Sequence, residues 1–204
     1  MEFYYSPLSR ASQKVLIALY EKQADFCPRP LDLSDPFKRR ELQQLDCAAQ
    51  LPLLKLGTGE LIPDASLIVE YLEVNIAQGT QLIPQEAAQA WQVRLYDKLS
   101  QTRLDNVIDA LQRAQALPQP DQIKVKQLKN ELNATLTRFD RHLANHHWLS
   151  GDSFSLADCA AIPCLLALAP TFHLLEYEHL GRYWFQAMLR GSVNQLQNEI
   201  AITG

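Results

Sequence analysis

The chain lacks the features that mark several large classes of protein. Its 204 residues carry a formal net charge of −4, and its longest basic cluster is Lys38-Arg39-Arg40. Such a chain has little electrostatic attraction for nucleic acid or for an anionic membrane. Its longest uncharged stretch, Cys159 to Leu175, is shorter than the span of about 20 apolar residues that crosses a bilayer. We therefore expect no nucleic-acid or membrane partner.

Cysteine and metal-binding patterns are also sparse. The N-terminus has no basic start followed by an apolar run, so it does not have the form of a secretory signal. We predict a cytoplasmic protein with free thiols. His142, His146 and His147 have helical spacing without the acidic or cysteine residues of a metal motif, so no metal is expected. The cysteines are scattered, without a C-x-x-C pair, at Cys27, Cys47, Cys159 and Cys164.

The hydrophobic pattern divides the chain into two parts. Residues 1–77 alternate short apolar runs with helical periods and predict the order βαβ followed by ββα. Pro28 and Pro30 place the second strand at a sheet edge, because proline cannot donate to a ladder. From Ala87 onwards the period is helical almost throughout. We predict an α/β domain at 1–77, a linker at 78–86 and an all-helical domain at 87–204.

One motif lies in the helical part, from Gly151 to Cys159. Ser155 and Asp158 have the spacing of a capping box, in which each side chain bonds the other's backbone N–H. Phe154 and Cys159 flank this pair at the positions of a hydrophobic staple. The motif predicts the start of a buried helix.

A second pair of motifs lies in the α/β part. Gln50-Leu51-Pro52-Leu53 places a proline at the start of a strand, where it is a candidate cis peptide, with trans proline as the alternative. After a Gly57-Thr58-Gly59 turn, the segment Asp64-Ala65-Ser66-Leu67-Ile68-Val69-Glu70-Tyr71-Leu72 begins with a helix N-cap.

Taken together and in this order, these motifs resemble those of the cytosolic glutathione transferase family over nearly the whole chain. The resemblance implies a thioredoxin-like N-terminal domain, a helical C-terminal domain and a homodimer. It also implies glutathione as co-substrate and a role in detoxification, with the thiolate conjugated to small apolar electrophiles.

The family places a Tyr, Ser or Cys near the first strand–helix junction, against the sulfur of glutathione. By this resemblance Ser9 is the catalytic residue, and Ser6, Ser12 and Tyr5 are alternatives. Ser9 is also a suitable helix N-cap. Arg10 is either an anion-steering group or an ordinary surface arginine.

The remaining glutathione contacts also follow from the resemblance. Gln50, Leu51 and Pro52 contact the peptide backbone, while Asp64, Ala65 and Ser66 receive the γ-glutamyl end at a helix N-terminus. Ala65 stands where the family usually has serine, so one hydroxyl contact is lost. That loss corresponds to about 1.5–3 kcal/mol, or a roughly ten- to hundredfold lower affinity.

The candidate residues for the electrophile pocket have a second interpretation, because the same positions suit helix packing or dimer contacts. Two other functions stay open: a non-catalytic binding or interaction protein, which Ala65 favours, and a glutathione-dependent isomerase or dehalogenase. The electrophile-pocket candidates are Leu8, Trp91, Tyr96, Leu99 and Arg103.

Overall fold

The computed structural model describes residues 1–48 and 50–203, which form two compact units. The first contains Met1–Leu82 together with the stretch that starts at Gly191, and the second is Ile83–Arg190. The sequence-based limits of 1–77, 78–86 and 87–204 remain a prediction of domain organisation, and residue 204 lies outside the described residues.

The first unit contains a four-stranded mixed sheet. Its spatial order is β2-β1-β3-β4, with β1 parallel to β2, and with β1–β3 and β3–β4 antiparallel. β2 lies at an edge, as its two prolines predict. The strands are β1 (Glu2–Tyr5), β2 (Cys27–Pro30), β3 (Leu53–Lys55) and β4 (Leu61–Pro63).

Three helices follow these strands: α1 (Arg10–Glu21), α2 (Pro36–Leu45) and α3 (Ala65–Asn75). Tyr4, Leu42 and Leu53 lie in one buried cluster, which packs α2 against one face of the sheet. Phe3 and Tyr5 point to the other face, since side chains alternate along a strand, and their rings stack at 5.0 Å. Helices α1 and α3 pack against each other.

The second unit is helical. A π-helical turn, Ser100–Asp105, lies within the helical period that runs from Ala87 to about Ala116. Helix α7 is almost entirely buried, and the predicted capping box of Ser155 and Asp158 is present at its start. No helix of residues 1–48 and 50–203 is both long and apolar enough to span a membrane. The helices are α4 (Ala87–Leu99), α5 (Asn106–Gln115), α6 (Gln122–Leu143), α7 (Leu156–Leu168) and α8 (Glu178–Met188), with a 3-10 turn at Leu174–Glu176.

The last helix, α9 (Gly191–Thr203), belongs to the first unit, where it packs against α1. The hydroxyls of Tyr5 and Tyr20 donate to the two carboxylate oxygens of Glu199, each at 2.9 Å. Ser192 Oγ donates to Glu21 Oε1 at 2.5 Å. The predicted domain of 87–204 includes this segment because of its helical period, and contacts between such distant residues leave no periodic signal in the sequence.

Candidate functional site

Ser9 caps α1 directly after the loop that leaves β1. It has extended backbone angles, and its Oγ accepts a long hydrogen bond of 3.4 Å from Ser12 N. A hydroxyl that accepts a bond still has its own proton to donate. The positive end of the α1 dipole lies at the same place. The half-buried Ser9 hydroxyl is therefore suited to stabilising an anion.

Two of the three alternatives to Ser9, Tyr5 and Ser12, are buried and use their hydroxyl groups in hydrogen bonds within the protein. Tyr5 is buried and donates to Glu199, and burial together with this bond raises the pKa of Tyr5 above its ordinary value near 10. Ser12 is fully buried, and its Oγ accepts from Ser6 N at 3.2 Å. Ser6 is half-buried in the loop itself. These contacts favour Ser9 and Ser6, and the choice of Ser9 remains a prediction.

The loop before β3 contains the predicted peptide-binding residues. The Leu51–Pro52 peptide bond is cis, in agreement with the sequence-based candidate. Gln50 is exposed, Leu51 is half-buried and Pro52 is buried. Leu51 packs against the buried cluster of Tyr4, Leu42 and Leu53, so its side chain points into the fold.

The N-terminus of α3 contains the predicted γ-glutamyl contacts. Asp64 is the N-cap and has a positive φ of 73°, which aspartate tolerates better than most residues do. Its Oδ1 accepts from Ser66 N at 2.8 Å and from Leu67 N at 3.2 Å. The Ser66 amide, expected as a ligand contact, thus already donates to Asp64. Ala65, which precedes it, is 8% exposed.

Lys14 is a neighbour of this site that the sequence analysis missed. It lies on α1, is 7% exposed, and its Nζ donates to Ser66 Oγ at 2.7 Å. In the sequence, its burial is indicated by its position one helical turn before Ala18, which is on the apolar face of α1. Periodicity alone does not reveal that a residue 52 positions away accepts its hydrogen bond.

The electrophile-pocket candidates have different environments. Tyr96 is buried, and its ring packs 4.4 Å from His142 and 5.8 Å from Phe139. That environment matches the packing alternative for Tyr96. The other candidates are Leu8 and Trp91, which are exposed, Leu99, which is half-buried, and Arg103, which pairs with Glu131 at 3.7 Å.

The histidines of the helical unit have structural contacts. His142 Nε2 lies 2.9 Å from Leu149 O, and its ring stacks 4.5 Å from that of His146. Burial lowers the pKa of His142 below its ordinary value near 6.5. Within the described ranges, no three His, Cys, Asp or Glu residues lie together as a metal site would require.

Comparisons with known proteins agree with this architecture. The sheet topology and the helical second unit define a two-part protein with a thioredoxin-like domain followed by a helical domain. Residues 3–79 match the family "Glutathione S-transferase, N-terminal domain", and residues 95–190 match "Glutathione S-transferase, C-terminal domain". The chain belongs to the cytosolic glutathione S-transferase family, as its motifs indicated.

The relatives are distant but match along most of their length. Glutathione S-transferase 3 of Zea mays is 29% identical over 178 residues, which cover 83% of this chain and 80% of that protein. A glutathione S-transferase from Methylobacillus flagellatus, solved with glutathione bound, has a TM-score of 0.84 at 27% identity, covering 96% of this chain and 98% of its own. Glutathione transferase F2 of Populus trichocarpa shares the fold, with a TM-score of 0.87 at 21% identity, covering 100% of this chain and 99% of its own.

Proposed function

We propose that the protein binds glutathione and conjugates its thiolate to small apolar electrophiles. Ser9 donates a hydrogen bond to the sulfur, Leu51 pairs with the peptide main chain beside Gln50, and the start of α3 receives the γ-glutamyl end. Catalysis then depends on stabilising the thiolate and positioning it. The observation that carries the proposal is the Ser9 hydroxyl, half-buried at the N-cap of α1 in a member of this family.

A thiol with an ordinary pKa of about 8.5 is mostly protonated at neutral pH, and each unit of lowering corresponds to about 1.4 kcal/mol. One hydrogen bond to a charged group contributes about 1.5–3 kcal/mol. A single donor such as Ser9, helped by the helix dipole, is therefore sufficient to make the thiolate the major form.

The test is calorimetric titration with glutathione, followed by a conjugation assay, on the wild type and three variants. Ser9→Ala should slow conjugation and raise the pKa of the bound thiol, whereas Ser6→Ala, in the same loop, should have little effect. Ala65→Ser should tighten binding about ten- to a hundredfold by restoring a hydroxyl. Absence of glutathione binding at millimolar concentration, even in Ala65→Ser, would show that the proposed function is wrong.

A homodimer is part of this proposal. Leu67 and Val74, two turns apart on α3, are 56% and 82% exposed, and an apolar pair on one helix face suits a contact between subunits. Sedimentation should give twice the chain mass of 23.2 kDa, and a monomer at micromolar concentration would contradict the dimer.

A further inference from the structure

The loop between β1 and α1, residues 6–9, is short and carries the Ser9 hydroxyl. Within it Ser9 N donates to Ser6 O at 3.0 Å, which closes a tight turn. Leu8, in the middle of the loop, is 62% exposed, so its side chain anchors the loop only weakly. The capping bond from Ser12 N to Ser9 Oγ is long, at 3.4 Å, and therefore weak. The position of Ser9 thus depends on additional contacts.

One of these contacts comes from a buried glutamine on α1. Glutamine is mostly found on protein surfaces, because burying an amide without a partner is unfavourable. Gln13 is nevertheless 6% exposed, and its Nε2 donates to Pro7 O at 2.8 Å. Its backbone N donates to Ser9 O at 2.9 Å. Gln13 therefore binds one carbonyl on each side of Leu8.

Ser12, the residue before Gln13, holds the start of the same loop. It is fully buried, and its Oγ accepts from Ser6 N at 3.2 Å. Hydrogen bonds inside a protein are stronger than those in water, and a buried group left unpaired is costly. The two side chains together therefore fix the main chain at two consecutive residues, Ser6 and Pro7.

The fixed loop matters for the proposed hydrogen bond from Ser9 to the sulfur. A donor that is already in place stabilises a charge without reorganisation, and a misplacement of about 1 Å can lower a rate about a hundredfold. A loop held at Ser6 and Pro7 keeps the Ser9 hydroxyl at the start of α1, where the helix dipole also favours an anion.

We propose that Gln13 and Ser12 are positioning residues, which hold the loop so that the Ser9 hydroxyl can donate to the sulfur of glutathione. This inference rests on the proposed function. In this role each side chain acts through the main chain of the loop and does not touch the sulfur. Substitution should therefore affect the ionisation of the thiol and leave the binding of the peptide part of glutathione unchanged.

The experiment measures the pH dependence of kcat with glutathione, and the ultraviolet absorbance of the bound thiolate gives the pKa of the thiol directly. Gln13→Met keeps a long side chain and removes its donor, whereas Ser12→Ala removes the acceptor of Ser6 N. Val15→Ala is the matched control, because Val15 is fully buried on the same helix and its side chain forms no hydrogen bond. Affinity for S-methylglutathione, whose sulfur cannot ionise, measures the peptide part alone, and thermal unfolding reveals any loss of folding.

Gln13→Met should raise the pKa of the bound thiol by about one unit and move the pH profile of kcat upwards by the same amount, so that kcat below the pKa falls about tenfold. Ser12→Ala should act in the same direction, and it decides the test if Gln13→Met does not fold. Val15→Ala should lower the melting temperature without moving the profile, because a smaller folded fraction lowers its height and leaves its midpoint unchanged. Affinity for S-methylglutathione should change by less than about threefold in every variant.

A double variant shows whether Gln13 acts through Ser9. If it does, adding Gln13→Met to Ser9→Ala should leave the thiol pKa where Ser9→Ala alone puts it. A further shift in the double variant would overturn the inference while the proposed function stands. So would an unchanged thiol pKa in both Gln13→Met and Ser12→Ala, when Ser9→Ala raises it. If the wild type binds no glutathione, or Ser9→Ala leaves the thiol pKa unchanged, the proposed function fails and this inference fails with it.

Discussion

Ser9 has one observed role and one proposed role, which depend on different parts of its hydroxyl group. Its oxygen accepts from Ser12 N and caps α1, whereas its proton is the part that would bond a thiolate. The 3.4 Å length of the capping bond makes it a weak one. Substitutions that keep the acceptor and remove the donor can therefore separate helix capping from catalysis.

Ser9→Asp is the variant that makes this separation. Aspartate is as good an N-cap as serine, so the free energy of unfolding should change by less than about 0.5 kcal/mol. Its carboxylate cannot donate and repels the thiolate, so conjugation should fall at least tenfold, which is the loss expected for one charged hydrogen bond of about 1.5–3 kcal/mol. The measurements are urea denaturation and the pH dependence of the conjugation rate. Ser9→Asp with wild-type activity would show that Ser9 only caps the helix.

At this scale, the sequence supports predictions for residues whose role is local. Asp64 was predicted as an N-cap from the residues beside it, and the structure confirms it. Lys14 was missed because its burial and its hydrogen bond depend on Ser66, which is near only after α1 and α3 have packed. A local pattern contains no information on that contact.

Helix α7 shows how much an element depends on its first turn. The Asp158 carboxylate is fully buried and accepts from Leu149 N at 3.0 Å and from Ser155 N and Oγ at 2.9 Å each. The Tyr183 hydroxyl faces the same carboxylate but has no partner within hydrogen-bonding geometry in the described part of the chain. Burial raises the pKa of Asp158 to about 6 from an ordinary 3.8, although these hydrogen bonds oppose the rise.

This shift predicts how stability depends on pH. The folded protein binds the Asp158 proton more tightly than the unfolded chain does. The contribution of this group to the free energy of unfolding is therefore complete below about pH 4 and is lost as the pH rises through about 6. The loss is at most about 3 kcal/mol, for a shift of about two units.

Urea denaturation at about pH 5 and about pH 7.5 tests this dependence. All three tryptophans, Trp91, Trp148 and Trp184, lie in the helical unit, so their fluorescence reports its unfolding. Asp158→Asn cannot titrate and should lose the part of the pH dependence that belongs to Asp158. It should also be less stable at both pH values, because its NH2 group cannot accept hydrogen bonds. The titration of His142 contributes equally to both proteins, so it does not affect the difference between them. An equal pH dependence of stability in the two proteins would contradict the prediction.

The type of a secondary-structure element could be predicted where the hydrophobic period was strong. A local irregularity within a helix could not be predicted in this way. The apolar period from Ala87 to about Ala116 predicts one helix, and the structure has a π-helical turn at Ser100–Asp105 within it. Such a turn shifts the register without adding a proline or glycine, so the sequence shows no helix-breaking residue there. Ser100 is fully buried at this turn, and among the described residues its Oγ has no hydrogen-bond partner.

The last helix of the chain contacts the first one: α9 packs against α1 and belongs to the first compact unit. The two hydrogen bonds of Glu199 connect it to Tyr5 and Tyr20, which are 194 and 179 positions away. Tyr5 is the last residue of β1, immediately before the loop that leads to Ser9. Helix α9 is thus hydrogen-bonded to β1, the strand from which the proposed catalytic loop starts.

Glu199→Ala should therefore destabilise the first unit specifically. Removing the carboxylate leaves two tyrosine hydroxyls without this acceptor, at a cost of about 1–3 kcal/mol for each that stays unpaired. Hydrogen exchange followed by mass spectrometry should show faster exchange in β1, α1 and α9, and unchanged exchange in the helices between Ile83 and Arg190. Asn198→Ala, at an exposed position next to Glu199, is the matched control and should leave both units unchanged. Faster exchange spread evenly over both units would mean that the two unfold together and that Glu199 does not act locally.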